Sequence, residues 1–317
     1  MGYLQGRAIH VDRHLSNIAM DYRAEGFVAD RIFPVVGVPN QSGMIKTYNQ
    51  ADKFRNSDDI RSPGTEAKKV SFQVGSESYY CTNHALKADV TIEDRANADP
   101  IFIKDLEEGR VGFVTDQLQL NWEIRVATKC TASANVSTLM LVASSWSSYS
   151  VATPMADLWT AIDNQKDTYG YRPNRVLFSE PAWRAFRRND EVIDKIHGTG
   201  VAGGGKEATI IEAAALLEMD EVLVAGGQYN SGAEGGSMIL AHIWGNYVLV
   251  YYAPKAASQD VPSFGYSLRW TAPGLANWNV ERHPYDSKIK ADEVEVGYYQ
   301  EEKILSKYMA TLIGSTV

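Results

Sequence analysis

Gly200-Val-Ala-Gly-Gly-Gly205-Lys206-Glu207 satisfies the G-x-x-x-x-G-K frame of a phosphate-cradling loop and stands before a helical pattern. That frame continues with Ser or Thr, whose hydroxyl ligates magnesium, and follows a buried strand. Here the next residue is Glu207, whose carboxylate would repel a phosphate, and the polar DEVIDKIHGT comes before the loop. A plain glycine loop is the expectation. His10 and His14, four apart with Asp12 between them, could set two metal ligands on one helix face, but no third ligand accompanies them. His84, His197, His242 and His283 are scattered, no Ser lies in a G-x-S-x-G elbow, and no H-E-x-x-H occurs. Gly226-Gly227 and the run SGAEGGS at 231–237 lack the G-x-G-x-x-G order of a dinucleotide site. The expectation is therefore no catalytic residue, no cofactor and no metal: not an enzyme.

The composition narrows the class further. Of 317 residues, 44% are hydrophobic and 22% charged, as in an ordinary soluble protein. A net charge of −8 makes a poor general binder of nucleic-acid phosphates. Cys81 and Cys130, widely separated and outside any C-x-x-C, predict neither a disulfide framework nor a cysteine metal site, and fit a reducing cytoplasm. The N-terminus lacks a signal-peptide pattern, and no apolar run reaches the ~18 residues of a membrane span.

With no chemistry to position, the elements themselves carry the information. Residues 101–133 sustain the longest helical pattern in the chain. One stripe is Leu106, Phe113, Leu120, Ile124 and Ala127; a second is Val111, Val114, Leu118, Trp122 and Val126. A rod of about 30 residues is about 45 Å long, and two apolar stripes predict two packing partners, the chain's own domain and an arm or a neighbouring subunit. Residues 1–40 read as an arm whose short apolar clusters, Phe27 to Phe33 above all, must dock elsewhere. Residues 41–92 read as an extended hairpin. Its tip, Lys46 to Lys69, carries six bases and four acids, +2 in an acidic chain. After a loop-like Ser-rich stretch at 136–149, residues 151–258 alternate helix and strand as a compact α/β domain, ending in a hairpin closed by Gly245-Asn246. From 259 to 317 the chain turns to long strands expected to form an antiparallel sheet beside the spine.

This order of arm, long hairpin with polar tip, spine helix, α/β domain with a glycine loop, and returning strands resembles the major capsid proteins of tailed bacteriophages with the Hong Kong 97-type fold. LSNIAMDYRAEGFVADRIFPVVGVPNQSG resembles the arm of one branch of that family, and RSPGTEAKKVSF the far side of its extended loop. YYCTNHALKADVTIEDRANADP resembles the approach to its spine, and GYRPNRVLFSEPAWRAFRRNDEVIDKI its axial helix pair. The resemblance implies an α+β fold divided into an N-terminal arm (1–40), an extended loop (41–92), a peripheral domain (93–150) with its spine helix (101–133), an axial α/β domain (151–258) and return strands (259–317).

It implies a shell protein that associates with itself as pentamers and hexamers in a virion, assembled in the host cytoplasm. The shell encloses double-stranded DNA without specific binding and touches no membrane. The partners implied are a separate scaffolding protein, since the arm starts near Met1, a portal, and a cement or decoration protein. A nanocompartment shell of the encapsulin type shares the fold and is the alternative; a soluble α/β enzyme would need a site the sequence does not display. The expected inter-subunit contacts are Phe27 and Phe33 from the arm and Lys53, Arg55, Arg61, Lys68 and Lys69 from the loop. Some relatives cross-link a lysine to an asparagine between subunits, and no pattern here identifies such a pair.

Overall fold

The computed structural model describes residues 26–48, 54–56, 58–70, 74–97, 103–198, 206–258, 261–271, 278–286 and 290–317. Helix Ile103–Thr131 (α3) is the spine, preceded by α1 (Ala29–Ile32) and α2 (Ile92–Asn97). Of its two predicted stripes, Val111, Val114, Leu118, Trp122 and Val126 are all buried. The other is left half-covered: Ala127 is buried, Leu106, Leu120 and Ile124 are intermediate, and Phe113 is 61% exposed.

The first half of the buried stripe, Val111, Val114 and Leu118, faces a five-stranded sheet organised on β13 (Ala291–Ile304), while Trp122 and Val126 enter the core of the α/β domain. Strand β4 (Thr82–Thr91) pairs antiparallel along one side of β13. The sheet's path then runs through β13 from β12 (Asn279–Asp286) to β11 (Gly265–Trp270), both antiparallel to it, and on to β1 (Val35–Val38), which lies parallel to β11. Val111, Val114 and Leu118 interlock there with Val280, Val294, Val296 and Tyr298. Strand β4 was placed with the extended loop by its sequence; it is bound into this sheet, and the hairpin proper is β2 (Ser42–Tyr48) against β3 (Val74–Tyr80). Burial of Ile45, Tyr79 and Cys81 against Tyr266 and Leu268 fixes the hairpin's base.

The second five-stranded sheet has the order β5-β14-β10-β6-β7, with β5 Thr138–Leu141, β6 Arg175–Ser179, β7 Glu221–Ala225, β10 Val248–Tyr251 and β14 Ala310–Gly314. Both faces are covered, so its central strands read as unbroken apolar runs instead of alternating ones. Val248 and Val250 meet the helices α4 (Pro154–Tyr169), α5 (Glu180–Arg187), α6 (Asp190–His197) and α7 (Ile210–Leu217). Leu249 and Tyr251 meet the spine and the segment after Gly26. The helix ends follow local rules: Pro154 opens α4, left-handed Gly170 closes it, and Thr209 with Glu212 forms a capping box on α7.

Three expectations fail here, for one reason. The Ser-rich 136–149 stretch was read as loop and contains β5; residues 310–314 were read with the returning strands and form β14; and the two join parallel in the α/β sheet. The expected hairpin at Gly245-Asn246 also does not form, since β9 (Leu240–His242) pairs with β8 (Gln228–Asn230) while β10 lies between β6 and β14. All three turn on partners far away in the chain, which local pattern cannot rank.

Candidate functional site

Two buried polar clusters and one protruding hairpin distinguish this molecule from a generic α+β domain. The first cluster centres on Glu123, fully buried on the spine. Its Oε2 accepts from the backbone N–H groups of Val28 (3.0 Å) and Ala29 (2.7 Å), and its Oε1 from Trp244 Nε1 (2.6 Å). One carboxylate thereby joins the spine, the segment leading into α1 and the α/β domain. Burial pushes the carboxyl up to about 6, against the pull of its three donors.

The second cluster joins the spine to the β13 sheet. Arg125 makes a two-pronged contact with Glu302, its Nε at 3.2 Å and its Nη2 at 3.1 Å from Oε1, and Nη2 also donates to Tyr298 Oη at 3.0 Å. Arg269, 4% exposed, lies against the rings of Tyr298 (4.8 Å), Trp122 (5.4 Å) and Trp278 (5.6 Å), with Gln300 Oε1 accepting from its Nε at 2.9 Å. Desolvation lowers the guanidinium to about 10, so it stays charged at neutral pH. Glu302 is held below the usual carboxylate range by Arg125, against its own burial. Replacing Arg269 with Lys keeps the charge and removes the flat, multi-donor group that fits between rings. Arg269→Lys is expected to destabilise by about 2 kcal/mol; urea unfolding with the slope unchanged is the check.

Between the hairpin and the spine runs an open groove of about 580 Å³ bordered by Tyr80, His84, Ile124, Arg125, Thr128 and Glu301. Ile124 comes from the half-covered stripe of the spine.

The predicted contact residues divide. Phe33 is buried within its own subunit, its ring packed on Phe264 (5.5 Å between centroids) and over Gly265, where any side chain would collide with it. Phe27 is half-buried beside Gly227. The apolar segment expected to seek a neighbour finds its partners at home: Val28, Ala29, Ile32 and Phe33 enter the same core as Trp122, Val126, Leu249 and Tyr251. Arg31 ties this segment to Glu221 and its carbonyl accepts from Arg175 Nη1 at 2.8 Å. In the loop, Arg55 and Lys69 are exposed. Arg61 Nε donates to Thr65 O at 2.6 Å, and Lys68 pairs with Asp58, whose carboxyl it holds below the usual range. Lys53, His10 and His14 lie outside the described residues.

Glu207 is engaged by Arg187 and, at 3.0 Å, by Arg188, while glycines 200–205 of the loop lie outside the described residues. Among the described residues no three His, Cys, Asp or Glu gather as a metal ion would need, and no helix is long and apolar enough to cross a membrane. Cys81 and Cys130 are free thiols, both buried. Glu123 and Arg269 were missed in the sequence because their partners stand roughly 95 to 121 residues away for Glu123 and 31 for Gln300. A charged residue beside an apolar stripe was the only local signal.

No family model matches the chain. Two curated relatives, each named major capsid protein, align over most of it. That of Pseudomonas phage JBD67 is 24% identical, covering 82% of this chain and 83% of its own; that of Burkholderia phage BcepMu is 23% identical, covering 86% and 87%. Among solved structures, a phage-related protein from Bordetella bronchiseptica RB50 superposes with a TM-score of 0.74 at 24% identity, covering 98% of this chain and 99% of its own. The capsid of cyanophage P-SCSP1u superposes with a TM-score of 0.59 at 12% identity, covering 99% and 92%.

Proposed function

We propose that this chain, which has the capsid fold of the Hong Kong 97 type, is the major capsid protein of a tailed double-stranded DNA bacteriophage. It associates with itself as pentamers and hexamers into an icosahedral shell around the genome, in a structural and not a catalytic role. The observation that carries this reading is the end-to-end likeness to two phage major capsid proteins, over more than four-fifths of both chains in each case. The surfaces fit it: the uncovered spine flank at Phe113 and the exposed Met44, Ile60 and Val70 of the hairpin are apolar groups that a neighbouring copy would cover. Assembly in the host cytoplasm, with a separate scaffolding protein, a portal and a decoration protein as partners, belongs to the same proposal.

Expressing the full chain with its neighbouring genes and imaging the products tests it. Large DNA-filled heads are expected. Small protein-filled shells would replace the reading with a nanocompartment, and the absence of any particle would remove it.

The loop's charges are expected to act together. An exposed ion pair contributes about 0–1 kcal/mol, yet the same contact recurs at every subunit of a shell. Arg61→Glu alone should be tolerated, whereas reversing Lys53, Arg55 and Arg61 together should block shells without lowering the melting temperature, an effect that high salt imitates in part. A collapsed melting temperature would assign the loop to the subunit's own core, and normal shells would show its charges to be idle.

A further inference from the structure

Phe54 sets the hairpin tip against its own α/β domain. Its ring carbons crowd the position where a Cβ on Gly170 would stand, and the ring meets Tyr171 edge-on, 6.1 Å between centroids and 77° between planes. Tyr171 in turn lies 6.2 Å from Tyr252. Gly170 serves twice there. It closes α4 in the left-handed region (φ +73°), donating its N–H to Lys166 O at 2.8 Å, and it leaves the space that Phe54 fills.

Phe54 keeps 57% of its surface exposed, so this is a contact on the surface of the domain and not an insertion into a core. Arg55, Asn56 and every residue from Asp58 to Val70 are exposed, Ile60 and Val70 included. The hairpin's base is held separately, by Lys303 to Glu77 (3.0 Å) and to Ser78 O (3.1 Å) and by burial of Ile45 and Tyr79. Among the described residues of the tip, Phe54 is the one seen in ring contact with the α/β domain, and the contacts that hold the base are separate from it.

We propose that Phe54 on Gly170 and Tyr171 is a self-latch that restrains assembly. In the free subunit it holds the tip on its own chain, and a neighbouring copy must draw the tip away before the two can join. The inference rests on the capsid reading. A tip seated in cis is not available in trans, so the latch lowers the fraction of subunits competent to associate and raises the concentration at which shells begin.

Two full-length variants break the contact from opposite sides. Phe54→Ala removes the peg. Gly170→Asn keeps a residue that tolerates the left-handed conformation while placing a Cβ where the ring sits. Three measurements apply to each: the melting temperature, the rate of tryptic cleavage at Arg55, Arg61, Lys68 and Lys69, and the onset of assembly followed by light scattering against concentration. The expected result is an unchanged melting temperature, cleavage at least about fivefold faster, and onset at a concentration at least about threefold lower. The double variant should add little to either single one, because both remove the same contact.

Unchanged cleavage would show that no latch exists, and unchanged onset that the latch restrains nothing. A raised onset would make Phe54 a contact to the neighbour. If Gly170→Asn fails to fold, Phe54→Ala decides alone. Should the unaltered chain and both variants form no particles at any concentration, the capsid reading fails and the restraint with it, while the cleavage rates still report whether the tip is latched.

Discussion

Glu123→Ala is expected to destabilise the subunit by about 4 kcal/mol and to lower its melting temperature by roughly 10 °C. The substitution leaves three donors, the N–H groups of Val28 and Ala29 and the indole of Trp244, buried without their acceptor. Each such loss costs about 1–3 kcal/mol, and no solvent can repair it because the site is closed. Glu123→Gln should cost less, about 2 kcal/mol, since its carbonyl can still accept from the backbone pair while its amide faces the indole N–H. Normal melting of Glu123→Ala would show that the three donors find other partners.

The same residue gives a pH signature. Its carboxyl is raised from 4.5 to about 6 by burial, so between those values the folded chain binds a proton that the unfolded chain does not. Folding stability from this group therefore rises as pH falls from about 6 to 4.5, by about 2 kcal/mol in all, and declines as pH rises through the same window. Nearby Asp30 adds to the upward push. Two other groups act in the opposite sense: His84, lowered by burial and by Arg125, loses stability as pH falls below its ordinary range, and Glu302 does so only below the ordinary carboxylate range. The difference between the parent and Glu123→Gln isolates the term. A Glu123→Gln curve parallel to the parent's between pH 4.5 and 6 would overturn it.

Two truncations should differ in kind. Removing residues 1–25 is expected to leave a folded subunit with nearly the parental melting temperature that fails to close shells, because the apolar cluster Leu15, Ile18 and Met20 goes with it. Removing 1–40 is expected to abolish folding. That cut takes away β1, the backbone donors that Glu123 holds, and the fully buried Ile32 and Phe33. Loss of the buried Ile side chain costs about 2–5 kcal/mol and of the Phe about 3–5 kcal/mol, together comparable to the whole stability of a typical protein. Soluble, cooperatively melting protein from the longer truncation would show that the segment is an arm after all, as its sequence suggests. Closed shells from the shorter one would release the first 25 residues from any role in assembly.

The sequence alone determined whatever follows from near neighbours in the chain. The spine was legible because five apolar residues at threes and fours mark a helix face whatever surrounds it. So were α4 between Pro154 and Gly170, the strand Arg175–Ser179 and the strand Glu221–Ala225, each bounded by its own start and stop signals. The order of these parts was enough to suggest the capsid fold.

Only the tertiary structure decided which stripe of the spine the subunit covers fully and which it covers only in part, since both are apolar and periodicity does not rank them. It moved the Phe27–Phe33 segment from the outside to the core, because burial depends on a cavity built by Leu249, Tyr251 and Phe264, more than 200 residues away. It also brought Glu123 under Val28 and Trp244, and Phe54 onto Gly170. Contacts at such separation carry no local periodicity, and their energies exist only once the chain has closed around them.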